Sequence, residues 1–108
     1  MAVFIVRFEH PNETGWKEWV RPHVEWVQQH VESGDIIASG PSVNTAVRQG
    51  WLVMRAEDEA ALRTIISTDP FWPNGIVENL LIVQWDPIFG QLVAESSSPA
   101  GFDTTQLP

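Results

Sequence analysis

The sequence predicts an α+β domain of the ferredoxin-like type: a four-stranded antiparallel sheet with two helices on one face, in the order βαββαβ. Three observations carry that prediction. Four apolar runs of strand length are spread over residues 2–85. Two segments between them repeat apolar residues at helical spacing. Turn formers separate each run from the next.

Residues 2–9 alternate after Ala2, with Phe4, Val6 and Phe8 on one side and Val3, Ile5, Arg7 and Glu9 on the other. The turn chemistry of His10 to Gly15 ends that strand. Trp16, Trp19, Val20, His23, Val27, His30 and Val31 then recur with the period of a helix. Proline suits a first turn and costs about 3 kcal/mol in a helix interior. Pro22 therefore puts the predicted start of the main helix near residue 20 or 21, with residues 15–19 as a separate turn or kinked lead-in. Ser33-Gly34 is its stop signal. Asp35 to Pro41 form the second strand, closed by Gly40-Pro41, and residues 42–47 a loop. Gln49 to Ala56 form the third, with Trp51 and Val53 facing one way and Leu52 and Met54 the other. Glu57-Asp58-Glu59 puts acid at the start of the second helix, where the dipole favours it, and Ala61, Leu62, Ile65 and Ile66 make its inner stripe. That helix ends at Ser67 to Pro70, because a residue before proline avoids helical angles. Ile76 to Trp85 form the fourth and most apolar strand. Beyond Asp86-Pro87 the pattern fades, and Ser96 to Gly101 have the composition of a flexible linker. One domain over residues 1–94 and a flexible tail over 95–108 are expected, with Phe102 and Leu107 able to dock on a partner subunit.

Composition narrows the function classes. A chain of 108 residues suits one domain, and its thin core would gain from oligomerisation. Lys and Arg number 6 against 14 Asp and Glu, a formal net charge of −8, which repels a duplex or an anionic membrane. With no cysteine there is no disulfide, thiolate chemistry or Cys-ligated metal. The apolar start lacks a basic lead and reads as a strand rather than a signal peptide. No run approaches the roughly 20 apolar residues that span a bilayer. A cytoplasmic protein that binds neither nucleic acid nor membrane is the expectation.

Topology then gathers chemistry at one end. If the first strand runs upward, the top rim collects Arg7 to His10, Arg21 to His23, Ser39-Gly40-Pro41 and Asp69 to Trp72, with Arg48 nearby. His23 and Asp69, 46 residues apart, meet there. An imidazole suits proton transfer near neutrality, and a carboxylate can orient it and stabilise its charged form. Arg21, Arg48 and Arg7 could hold an anionic oxygen, Ser39 could donate a hydrogen bond, and Phe71 and Trp72 could wall a pocket for a ring. Each has a plainer use: a satisfied core-edge histidine, a turn aspartate before proline, solvated arginines, core aromatics. His10 and His30 read as non-catalytic. His23 and His30 stand two turns apart, about 10 Å along a helix, too far to share one ion with His10, so no metal site is expected. No motif suggests a nucleotide or flavin cofactor. The opposite sheet face is also apolar, and a second copy is its simplest cover, so a homodimer through the sheet faces is expected.

Three motifs resemble the YCII-related family: Arg21-Pro22-His23 with Trp26 a turn later, Gly34-Asp35-Ile36-Ile37-Ala38-Ser39-Gly40-Pro41, and Asp69-Pro70-Phe71 followed by Gly75-Ile76. The likeness spans roughly residues 2–85. It implies a dimeric ferredoxin-like α+β barrel with His23 and Asp69 as the active pair. One member is a dehydrochlorinase of a chlorinated hydroxyquinol, and the similar muconolactone isomerase fold moves protons on a lactone. A lyase or isomerase of small cyclic or aromatic molecules, free of cofactor, is therefore expected. The alternatives are a non-catalytic small-molecule-binding or assembly module and a cofactor-free monooxygenase on the same barrel. This chain differs in its Trp content, in Trp72-Pro73-Asn74 after the Asp-Pro-Phe turn, and in its extra tail.

Overall fold

The computed structural model describes all residues from Met1 to Pro108. Its elements are β1 (Ala2–Glu9), α1 (Glu13–Ser33), β2 (Ile36–Pro41), β3 (Gln49–Ala56), α2 (Glu59–Ile66) and β4 (Glu78–Trp85), with short 3₁₀ turns at Val93–Glu95 and Thr104–Gln106. The strands form one sheet in the order β2-β3-β1-β4. All pairings are antiparallel. This is the ferredoxin-like arrangement that the sequence predicts.

The alternation in β1 sets the two faces. Phe4, Val6 and Phe8 are fully buried with Leu52, Met54 and Ala56 of β3, under Trp26 of α1 and Leu62 and Ile66 of α2. Register makes this one layer, since Phe4 pairs with Met54 and Val6 with Leu52 and Ile82. Burying each large apolar side chain contributes about 1.5–3 kcal/mol. Trp26 also donates its indole N–H to Thr68 Oγ1 at 2.8 Å, tying α1 to the end of α2.

The other face carries Ile5, Trp51, Val53, Leu81, Val83 and Trp85. Nothing in the chain covers its centre: Trp51, Val83 and Trp85 are 37%, 45% and 40% exposed. At one end the residues after β4 fold back. Arg55 donates to Glu95 at 2.8 Å and to the Gly34 carbonyl at 3.0 Å. The Ser97 N–H reaches Asp86 at 2.9 Å, and Phe102 packs edge-on against Phe89. The segment expected as a flexible tail, residues 95–108, thus makes contacts through Glu95, Ser97 and Phe102.

The start of α1 differs from the sequence expectation. The helix is continuous from Glu13, with Pro22 inside it. Asn12 is its N-cap, accepting from the Gly15 N–H at 2.9 Å. Gly15 is buried there, packed so closely that a Cβ would come within 2.6 Å of both the Asn12 side chain and Ile76. Pro22 removes one N–H, orphaning only the carbonyl of exposed Glu18, which water can satisfy. A good cap and the packed face outweigh that local cost. Gly34 ends the helix at φ +89°, a left-handed conformation that favours glycine. β2 and β4 begin at Ile36 and Glu78, slightly later than expected.

Candidate functional site

A cavity of about 280 Å³ opens between α1, the ends of β1, β2 and β3, and the turn after α2. His23 enters it from α1. One turn before it, Val20, and one turn after it, Val27, line the same wall. Asp69 arrives from the end of α2, where its backbone N–H donates to the Ile66 carbonyl at 3.0 Å. Its carboxylate is fully buried and both oxygens are used. Oδ1 accepts from the Phe71 N–H at 2.9 Å, an Asx turn that sets the carboxylate's orientation, and Oδ2 accepts from His23 Nδ1 at 2.8 Å. Since a carboxylate accepts, the neutral His23 ring carries its proton on Nδ1, which leaves a lone pair on Nε2. Phe71 lies flat against the His23 ring, with centroids 4.1 Å apart and planes 14° apart.

Of the other residues expected at the site, Phe71, Ser39 and Arg48 line the cavity. The Ser39 hydroxyl has no partner in the chain. Arg48 is already engaged: Nε and Nη2 donate to the Glu13 carboxylate at 2.9 and 3.0 Å, and its guanidinium sits 3.7 Å over the Trp16 ring. That fork raises the pKa of Arg48 and lowers that of Glu13. Arg48 is therefore a rim cation with a resident counter-ion, not an open anion site.

Three expected residues are placed elsewhere. Arg21 is exposed on the outer side of α1, because two helical residues turn about 200° from His23. Arg7 points to the face opposite the helices, where Nη2 donates to the Asn79 carbonyl at 2.9 Å. Trp72 is exposed outside the cavity lining.

The cavity also holds a residue that sequence reasoning set aside. His10 is only 2% exposed and lines the same space. Its Nδ1–H donates to the Ile76 carbonyl at 2.7 Å, and its ring lies 4.8 Å from Phe71. Burial is the main cause holding its pKa below the ordinary 6.5; the Ile76 bond and Asp69 oppose it, and His23 and Arg48 add to it. A signal was present: residue 10 has the parity of Phe4, Val6 and Phe8, and so belongs to the helix-covered face. His30 lies elsewhere, its Nδ1 bonded to Asp35 at 2.8 Å near the end of α1.

A family model described as the YCII-related domain matches residues 1–86. No curated protein matches the sequence. A similar solved structure is 5-chloro-2-hydroxyhydroquinone dehydrochlorinase from Burkholderia phenoliruptrix AC1100, in complex with 2,5-dihydroxybenzoquinone. It superposes with a TM-score of 0.67 at 15% identity, covering 78% of this chain and 93% of that one. No helix of this chain is long and apolar enough to cross a membrane.

Proposed function

The chain belongs to the YCII-related family, and from that premise we propose that it is a cofactor-free lyase or isomerase acting on small cyclic or aromatic organic molecules. The observation that carries this reading is the bond from His23 to the buried Asp69, which leaves Nε2 free beside an apolar cavity. A cavity of about 150 Å³ accepts benzene. The 280 Å³ here suits one substituted ring. The ligand of the structurally similar dehydrochlorinase, a dihydroxybenzoquinone, is of that size and kind.

In the proposed step, His23 Nε2 takes a proton from a ring carbon, and the C–H electron pair becomes part of a new double bond. In elimination a leaving group departs with its bonding pair, and the proton passes to solvent. In isomerisation the imidazolium returns the proton at another carbon. Asp69 stabilises the imidazolium and keeps the ring in place, and general acid–base catalysis of this kind contributes about 10²–10⁴-fold. The Ser39 hydroxyl, which lines the cavity, holds a substrate oxygen in this reading.

The exposed apolar sheet face fits a second copy of the chain, which would bury Trp51, Val83 and Trp85. We read the functional unit as that dimer.

The test is deuterium incorporation into candidate ring substrates in D₂O, comparing the wild type with His23→Ala. Loss of at least a hundredfold supports the reading. Exchange or turnover within a few-fold of wild type removes His23 as the proton carrier and favours a binding module.

A further inference from the structure

The second imidazole of the cavity is not accounted for by the proton transfer. The Ile76 carbonyl can only accept, so it fixes the His10 proton on Nδ1 and leaves a lone pair on Nε2. No group in the chain donates to that nitrogen. It nevertheless keeps access to open space, since Arg7 Nε is the one side-chain nitrogen that is both fully enclosed and unpartnered. The space is that above Gly50. A Cβ built on Gly50 would stand 3.5 Å from His10 Nε2 and meet nothing else within 4 Å. Gly50 has an ordinary backbone conformation, so no turn or strain demands a glycine there. What its missing side chain provides is room in front of His10. Both imidazoles rest against Phe71, at 4.8 and 4.1 Å between centroids, and both line the one cavity.

We propose that His10 is a specificity-determining residue that selects ligands bearing a ring hydroxyl, its Nε2 accepting the O–H hydrogen bond across the gap left by Gly50. This rests on the reading of the cavity as a small-ring site and names the substituent the ring carries. Burial suits His10 to the task by disfavouring its protonated form, so the lone pair persists at neutral pH. Backed by a neutral carbonyl rather than a carboxylate, His10 serves as a neutral acceptor.

The probes are p-cresol and p-xylene, which share a shape and differ by hydroxyl against methyl. Their dissociation constants at pH 7.5 are measured by NMR titration on the wild type, His10→Phe and Gly50→Ala. An acceptor buried without its donor costs on the order of tenfold in affinity. Both variants should therefore shift the p-cresol to p-xylene preference toward p-xylene by about that factor relative to wild type. Gly50→Ala keeps every protein bond of His10 and places one methyl in ordinary contact with Nε2, so it decides the matter even if His10→Phe fails to fold. A preference within twofold of wild type in Gly50→Ala overturns the proposal, as does a wild type that binds no p-cresol at millimolar concentration. Failure of the proton-transfer reading shows separately, in deuterium exchange by His23→Ala.

Discussion

Replacing Asp69 with asparagine tests the His23 pair without knowledge of the substrate. The Phe71 N–H holds the Oδ1 position at 2.9 Å, so the amide of Asp69→Asn must set its carbonyl there and turn its NH₂ toward His23. His23 Nδ1 then faces a donor and must become the acceptor, which moves the ring proton to Nε2. A hydrogen bond to a charged partner is worth about 1.5–3 kcal/mol net, a bias of roughly tenfold to a hundredfold toward one tautomer. That bias should reverse. The imidazole ¹⁵N chemical shifts report it directly: Nε2 changes from the acceptor-type to the donor-type position. The side-chain volume is conserved and a buried charge is removed, so the fold should survive with a Tm change of only a few degrees. Proton transfer should nevertheless fall by about 10²–10⁴-fold, because the nitrogen facing the cavity no longer has a lone pair. An unchanged ¹⁵N spectrum, or a reduction in rate below tenfold, would refute this account of the pair.

Pro22→Ala should stabilise the protein by about 2 kcal/mol, the interior-proline cost less the entropy regained by the unfolded chain; a Tm that stays put or drops would show that Pro22 carries no net cost in α1. His10 gives a pH dependence of definite sign. Its folded pKa lies below 6.5, so as acid is added the unfolded chain takes up the proton first and stability falls below about pH 6.5, with no contribution above it. The urea midpoint should decline between pH 7.5 and 5.5, and less steeply in His10→Asn; equal slopes would contradict the burial argument. Asp35, held below its ordinary 3.8 chiefly by the His30 hydrogen bond, acts in a separate, more acid window. Val83→Lys places a charge on the exposed sheet face and should convert a dimer to monomers in sedimentation equilibrium; unaltered association would assign the interface to another surface.

The fold was legible because its signals were redundant. Phe4, Val6 and Phe8 alternate, Gly34 and Gly40-Pro41 punctuate, and the element order allows few topologies. The meeting of His23 with Asp69 followed from that order alone. α1 starts earlier than Pro22 alone suggests, because its cap, Asn12, and its packed face together count for more than one proline. The placements of Arg21 and Arg7 could have been corrected from periodicity: Arg21 lies nearly opposite His23 on the helix, and Arg7 alternates with buried Phe8. Trp72 could not, because turn geometry rather than period decides where it points. Nor could the engagement of Arg48 by Glu13, a contact across 35 residues, or the free nitrogen of His10, which depends on a carbonyl 66 residues away.

That carbonyl belongs to Ile76, whose N–H also bonds the Phe71 carbonyl at 3.1 Å. A single main-chain unit thus fastens both the aromatic wall and the second imidazole. Alanine scanning would pass over it, since trimming the side chain leaves both bonds standing. Its amide proton, followed by solvent exchange, offers a reporter of whether the whole pocket is assembled, readable before any ligand or product has been found.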